Sequence, residues 1–134
     1  MIKFVLDTNV FISGIFWSGA PAKILNSWQE NKIKMICSLD ILEEYERVGK
    51  IIGKKFPHID LSALINLVTF HADIIKPIRF DRQITADPDD DKFIATALAA
   101  KCPLIISGDK HLLDVNGYAD LEIIKPGAFV QNYL

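Results

Sequence analysis

Four separated segments of this chain carry acidic residues that short apolar runs could bring to one edge of a sheet. The four segments are Asp7, the pair Glu43-Glu44, the run Asp89–Asp91 and Asp109. Like charges that converge in one cleft raise one another's pKa values unless a cation neutralises them. Oxygen ligands with no Cys or His predicted beside them favour Mg²⁺ or Mn²⁺ over zinc. A cation held in this way, with open water positions, is suited to phosphate-ester chemistry.

Each acid also has a structural alternative. Asp7 could form an Asx turn after a strand, and Glu44 could belong to a solvated helix face. The run Asp89–Asp91 could favour the positive end of a helix dipole, an effect of ~0.3–1 kcal/mol for each exposed charge. Asp109 could cap the short segment Lys110–Leu113. Taken singly, these alternatives are at least as good as a functional role, and only the convergence of the acids favours a site.

The elements that must position these acids alternate between strand and helix patterns. Near-continuous apolar runs are typical of strands buried on both faces of a parallel sheet. These runs are Ile2–Leu6, Ile33–Cys37, Leu104–Ile106 and Leu121–Ile124, with a weaker one at Ile74-Ile75. Helical spacing predicts five helices between and after these runs. The first is Ala20–Gln29, the second runs from the cap Ser38 to about Ile52, and the third begins at the cap Asp60. The fourth follows Asp89–Asp91, and a short fifth helix follows Pro126-Gly127. The pattern predicts an α/β fold with a mainly parallel sheet. Ligands bind such sheets beyond the carboxyl ends of the strands, where the acids are expected.

Length and composition limit the class of protein. The chain has 134 residues, of which 50% are hydrophobic, and we expect a single domain over 1–134. The apolar stretches are too interrupted to span a membrane, and Asp7 follows the N-terminal apolar run where a secretory signal would continue. These features predict a cytoplasmic protein. Asp outnumbers Glu 12 to 5 and the net charge is −2. Counted without bound cations, that charge disfavours nucleic-acid binding.

Four motifs, in order along the chain, resemble those of a PIN domain. They are Phe4–Val10, Ser38–Tyr45, Asp87–Ala97 and Ile106–Asp109. The resemblance covers essentially the whole chain, and more narrowly the chain looks like a member of the toxin–antitoxin PIN group. It implies a three-layer α/β/α sandwich and a metal-dependent endoribonuclease that uses Mg²⁺ or Mn²⁺. It also implies an RNA substrate, an antitoxin partner and a homodimer.

The same resemblance assigns roles to individual residues. The catalytic and metal-binding acids are expected to be Asp7, Glu44, Asp91 and Asp109. Glu44 is preferred to Glu43 because an aromatic residue follows it, and Asp91 is preferred because apolar residues follow it at +3 and +6. Supporting roles are expected for Asn9, Ser107 and Asp90, and phosphate contacts for Lys92 and Lys110. His111 is expected to be a surface residue.

Other functions remain open at the level of sequence. The chain could be an RNA-processing PIN nuclease outside any toxin pair, or a non-catalytic module whose acids hold a structural ion or cap helices. A phosphohydrolase with an aspartyl nucleophile is disfavoured because the second residue after Asp7 is Asn9 and not an aspartate. A receiver domain is disfavoured because one acid, not an adjacent pair, follows the first strand.

Overall fold

A computed structural model describes residues 1–134, in which five strands form one all-parallel sheet of order β3-β2-β1-β4-β5. The strands are β1 (Lys3–Leu6), β2 (Lys34–Cys37), β3 (Asp73–Ile74), β4 (Leu104–Ile106) and β5 (Glu122–Ile124). Apart from their first residues, β1 and β2 are fully buried, and β4 is buried throughout. Apolar runs without alternation therefore form strands covered on both faces, as the sequence predicted.

Seven helices cover the sheet. They are α1 (Thr8–Phe16), α2 (Ala20–Gln29), α3 (Leu39–Gly53), α4 (Leu61–His71), α5 (Asp91–Ala99), α6 (Lys110–Leu113) and α7 (Pro126–Tyr133). Helix α1 contacts α2 and α3, α3 contacts α4, and α7 contacts α2, whereas α5 lies against β1, β2 and β4. Since crossovers between parallel strands are right-handed, α1–α4 lie on one face and α5 on the other. The predicted α/β/α sandwich is confirmed. None of the helices has the length and apolar composition of a membrane-spanning segment.

Capping residues fix the predicted helix starts. The Ser38 hydroxyl accepts a hydrogen bond from the Ile41 amide at 3.4 Å, and the Asp60 carboxylate accepts one from the Ala63 amide at 3.2 Å. Helix α1, which the sequence analysis did not predict, follows β1 directly, and its N-cap residue Asp7 makes no side-chain capping bond. The carboxylate of Asp7 is thereby left for other contacts.

The order of the strands brings the ends of β1 and β4 together. These two strands are neighbours in the sheet although about a hundred residues separate them, and Leu6 pairs with Ile106. The Asp7 amide continues the ladder by donating a hydrogen bond to the Ile106 carbonyl at 2.9 Å. Strand order reverses between β1 and β4, so the residues that follow them lie at the topological switch point of the sheet.

Buried aromatic packing fixes α3 to this end of β1. The Tyr45 hydroxyl donates a hydrogen bond to the Leu6 carbonyl, and the Tyr45 ring stacks on Phe11 with centroids 4.0 Å apart. Glu44 is the residue before Tyr45 in α3. Its side chain is therefore carried close to the residue that follows β1.

Candidate metal centre at the carboxyl edge of the sheet

Ser107 joins the two acids that follow β1 and β4. Its hydroxyl donates a hydrogen bond to Asp7 Oδ2 at 2.6 Å and accepts one from the Asp109 amide at 2.9 Å. Ser107 is completely buried, and Asp7 is only 4% exposed. Asp109 in turn accepts a hydrogen bond from the His111 amide at 3.0 Å and so caps α6. The structure thus brings Asp7, Ser107 and Asp109 to one place.

Asp90 adds a third carboxyl group. It ends the 3₁₀ turn Pro88–Asp90, is 9% exposed, and leaves its Oδ2 atom buried without a hydrogen-bond partner. Burial raises the pKa of Asp90 to about 8, with further contributions from the carboxyl groups of Asp109, Asp7 and Asp87. In its protonated form Asp90 can donate a hydrogen bond to Asp109.

Asp91, the predicted third acid, has a different environment. Its Oδ1 atom accepts hydrogen bonds from the amide and the hydroxyl of Thr85, both at 2.8 Å, and its Oδ2 atom accepts one from the Ile84 amide at 2.9 Å. The carboxylate is occupied in holding the loop that precedes the 3₁₀ turn. The structure therefore brings Asp90, and not Asp91, to the other carboxyl groups.

A signal for this difference was present in the sequence. Phe93, Ile94 and Ala97 are buried, and they stand at +3, +4 and +7 from Asp90 but at +2, +3 and +6 from Asp91. Spacing of i, i+3, i+4 and i+7 defines one face of a helix. Asp90 therefore continues the buried face of α5, which points toward the sheet.

Glu44 lies at the border of this cluster in an ion pair with Lys92. The side chains of the two residues are only 20% and 18% exposed. Glu44 is close enough to Asp7 for its charge to raise the Asp7 pKa. Lys92, a predicted phosphate contact, is thus bound to a carboxylate, while Asn9 and Lys110 are exposed at the surface.

The electrostatics of Asp7 reflect its crowded position. Burial is the largest cause that raises its pKa, and the charges of Asp109 and Glu44 raise it further. The hydrogen bond from Ser107 acts in the opposite direction because it stabilises the carboxylate. The buried Asp7 thus carries a negative charge near two other acids, which is unfavourable for the fold.

His111, which was expected at the surface and follows Asp109 by two residues, lies beside the cluster with its side chain 48% exposed. Its Nδ1 atom is 4.0 Å from Asp90 Oδ2 and 3.9 Å from Asp109 Oδ1. Ligand atoms of Asp87, Asp90 and His111 all lie within 4.8 Å of one another. The loop that carries Asp87 and the start of α6 therefore meet over the carboxyl groups.

Comparison with known proteins identifies the family of the chain. A model of the PIN domain family matches residues 3–111. The chain belongs to the PIN domain family. A protein of Methanocaldococcus jannaschii, named uncharacterized protein MJ1680, is 33% identical over 147 aligned positions, which cover 98% of this chain and 92% of the relative. PIN domains are in general metal-dependent nucleases, so membership indicates a nuclease-type hydrolase.

The acids of this PIN domain fit a divalent cation. Asp90 Oδ2 is a buried carboxylate oxygen without a donor, and Asp7 and Asp90 both have raised pKa values. A cation at this point would satisfy the free oxygen and stabilise the ionised forms of both acids. Oxygen donors from Asp7, Asp90 and Asp109 are those that hard divalent cations bind.

Proposed function

We propose that this PIN domain is an endoribonuclease that depends on Mg²⁺ or Mn²⁺ and acts as the toxin of a toxin–antitoxin pair. The observation that supports the nuclease assignment best is the convergence of three carboxyl groups at the switch point of the sheet. Asp7, Asp90 and Asp109 come from three separate segments and meet around one buried oxygen that lacks a partner. Such a cluster is costly for a fold unless it binds a cation.

Each residue has a distinct part in the proposed site. Asp7, Asp90 and Asp109 would hold the metal, with Asp90 taking the place first expected for Asp91. The chemistry that a bound divalent cation would supply there is polarisation of the scissile phosphate and a lower pKa for an attacking water. Ser107 keeps Asp7 and Asp109 in register through its two hydrogen bonds. Glu44 completes the acidic edge, and its partner Lys92 limits the repulsion there.

RNA binding is proposed to use the cations next to the acids. A cavity of about 280 Å³ adjoins the Glu44–Lys92 pair, and no hydrophobic residue lines it. Its lining has four acidic residues and two basic ones, Arg47 and Lys92, and Lys110 is exposed one position after Asp109. A phosphate that reaches the cavity would compete with Glu44 for Lys92.

Cleavage of RNA by purified protein tests the nuclease assignment. We expect single-stranded RNA to be cut in the presence of Mg²⁺ or Mn²⁺ and to remain intact with EDTA. The Asp90→Asn variant should lose at least about a hundredfold in rate, the size of effect typical of a group that stabilises the transition state. Asp114→Asn is the matched control, because Asp114 is an exposed aspartate at the end of α6. Equal rates for the Asp90→Asn variant and the unmodified protein would refute the assignment.

The toxin role requires a separate experiment. Induced expression of the protein in a bacterial host should arrest growth, whereas Asp90→Asn should not. Co-expression of the protein encoded immediately upstream should restore growth if it is the antitoxin. An active ribonuclease that leaves growth unchanged would instead be an RNA-processing enzyme, and a folded protein that binds metal without cleaving RNA would be a non-catalytic module.

The proposed homodimer follows from the family resemblance, and the proposed cytoplasmic location remains the expectation from sequence composition. Five large apolar side chains are more than half exposed, and a subunit contact could cover some of them. They are Met1, Trp17, Leu39, Ile51 and Phe70. Light scattering coupled to size-exclusion chromatography measures the mass directly, and a mass of 15.1 kDa, that of a single chain, would exclude the dimer.

A further inference from the structure

We propose that His111 is a metal ligand, which acts with Asp87 and Asp90 and gives the site a preference for Mn²⁺ over Mg²⁺. This inference rests on the proposed metal dependence and concerns which cation the site takes. It adds a nitrogen donor to a set that the sequence suggested was made of oxygen alone.

The first observation is the position of the imidazole. Nδ1 of His111 lies 4.0 Å from Asp90 Oδ2 and 3.9 Å from Asp109 Oδ1, which is too far for a hydrogen bond. Two atoms that bind the same first-row cation lie at most roughly 4.2 Å apart, twice a bond length of about 2.1 Å. The distances from the ring nitrogen to both carboxylates are within that limit.

The second observation is independent of the acidic cluster as such. Asp90 Oδ2 is buried, has no hydrogen-bond donor, and is the carboxylate atom from which the His111 distance is measured. Buried polar atoms in folded proteins nearly always have a partner, and an ionised Asp90 would leave this oxygen open to a bound cation. The oxygen and the ring nitrogen are 4.0 Å apart and do not bind each other directly.

The backbone holds the three donors in place. The His111 amide donates to Asp109, which fixes the first turn of α6. The Asp87 carboxylate accepts a hydrogen bond from the Asp89 amide at 3.1 Å, and the Asp87 carbonyl accepts one from the Thr85 hydroxyl. The ligand atoms of Asp87, Asp90 and His111 lie within 4.8 Å of one another. The ring of His111 is 48% exposed, so a cation can reach it from solvent.

Donor chemistry then distinguishes the two cations proposed for this site. Mg²⁺ binds oxygen ligands and retains several waters, whereas imidazole nitrogen suits transition metals. Mn²⁺ is the transition metal of the two, so a nitrogen donor favours it over Mg²⁺. A surface histidine that does not bind the metal would give no such preference, because it would change neither the Mn²⁺ affinity nor the Mg²⁺ affinity of the site.

Electron spin-echo spectroscopy of bound Mn²⁺ tests the ligand directly. Protein without a polyhistidine tag is mixed with less than one equivalent of Mn²⁺ and no substrate, and the echo is examined for nitrogen modulation from a coordinated imidazole. We expect modulation in the unmodified protein, its loss in His111→Gln, and its retention in His71→Gln. His71 is a matched control because it is an exposed histidine in the last turn of α4.

Calorimetric titration supplies the second readout. His111→Gln should weaken Mn²⁺ binding by at least about tenfold, a loss seen even for residues outside the ligand set. Mg²⁺ binding should change by less than about twofold, because Mg²⁺ gains little from a nitrogen donor. Bound Mn²⁺ without nitrogen modulation would overturn the inference and leave the proposed nuclease intact. Absence of any Mn²⁺ or Mg²⁺ binding by the folded protein would overturn both.

Discussion

Asp90 and Asp91 are adjacent in sequence and differ in almost every physical respect. The Asp91 carboxylate accepts three hydrogen bonds from residues 84 and 85, whereas Asp90 has a buried oxygen that accepts none. A carboxylate whose oxygens accept hydrogen bonds stabilises the fold. A buried carboxylate that receives no hydrogen bond destabilises the fold unless a ligand is bound. One aspartate is therefore part of the scaffold, and the other is available for chemistry.

This contrast predicts opposite effects on stability. Asp91→Ala removes an ionised acceptor from two amides and a hydroxyl, and we expect it to lower the free energy of unfolding by about 2–3 kcal/mol. Asp90→Asn removes the free-energy cost of burying this carboxyl group, whose pKa is raised to about 8, and should leave the metal-free protein at least as stable. Urea denaturation at neutral pH with EDTA measures both. A larger loss for Asp90→Asn than for Asp91→Ala would show that these environments have been assigned the wrong way round.

Ser107 is expected to control both neighbouring acids. Ser107→Ala removes the donor to Asp7 and the acceptor for the Asp109 amide, so the pKa of Asp7 should rise further. We expect a loss of about 1–2 kcal/mol of stability and a decrease of about tenfold in Mg²⁺ or Mn²⁺ affinity. Titration calorimetry measures the affinity, and Ser18→Ala, in an exposed turn, is the control. Unchanged affinity would mean that Asp7 does not depend on this bond.

At the scale of elements, local sequence patterns predicted the helix starts that local capping bonds determine. Ser38 and Asp60 marked the starts of α3 and α4 because capping bonds form within three residues. Helix α1 was missed because it follows β1 without a separating turn and carries no side-chain cap. The apolar spacing of α5 pointed to Asp90, whereas the bonds from residues 84 and 85 that hold Asp91 and the tertiary contact that places His111 could not be predicted. Pairings of these last two kinds leave little pattern in a single sequence.

The close approach of α1 and α2 gives a prediction for Gly14. A Cβ atom there would lie 2.6 Å from Leu25 Cδ1 and 2.8 Å from the Pro21 carbonyl oxygen. Because one of these atoms belongs to the backbone, Gly14→Ala should destabilise the protein by about 1–3 kcal/mol, despite the better helix propensity of alanine. Gly127→Ala meets nothing within 4 Å in α7 and should stabilise it by about 0.4–1 kcal/mol. Thermal unfolding distinguishes the two signs, and a stabilised Gly14→Ala variant would contradict this packing.

For the whole molecule, the net charge of −2 describes the chain without its cation. Among the acids, Asp7 and Asp90 at the switch point are the most costly to ionise, because they have little access to solvent. A divalent ion would make the net charge of the complex close to zero. The composition therefore does not exclude an RNA substrate, and the stability of the protein should depend jointly on pH and metal.

The sign of that dependence follows from Asp90 and Asp7. Their pKa values are raised in the folded protein, that of Asp90 from 3.8 to about 8, so the folded state binds more protons than the unfolded state over this range. Without metal, their contribution to stability is greatest below about pH 4 and is lost as the pH rises toward 8. Metal binding reverses the trend, since the cation requires the deprotonated acids.

Thermal unfolding of metal-free and metal-loaded protein at pH 5.5 and pH 8 tests this coupling. We expect Mn²⁺ to raise the melting temperature more at pH 8 than at pH 5.5, because protons compete with the cation at the lower pH. In EDTA at pH 8, the Asp90→Asn variant should be more stable than the unmodified protein by roughly 2 kcal/mol. One pKa unit corresponds to about 1.4 kcal/mol, and solvent screening reduces the effect of the Asp90 shift below its full value. The difference between the two proteins should shrink at pH 5.5, since protonated Asp90 is also neutral. An equal difference at both pH values would show that the charge on Asp90 is not what links stability to pH.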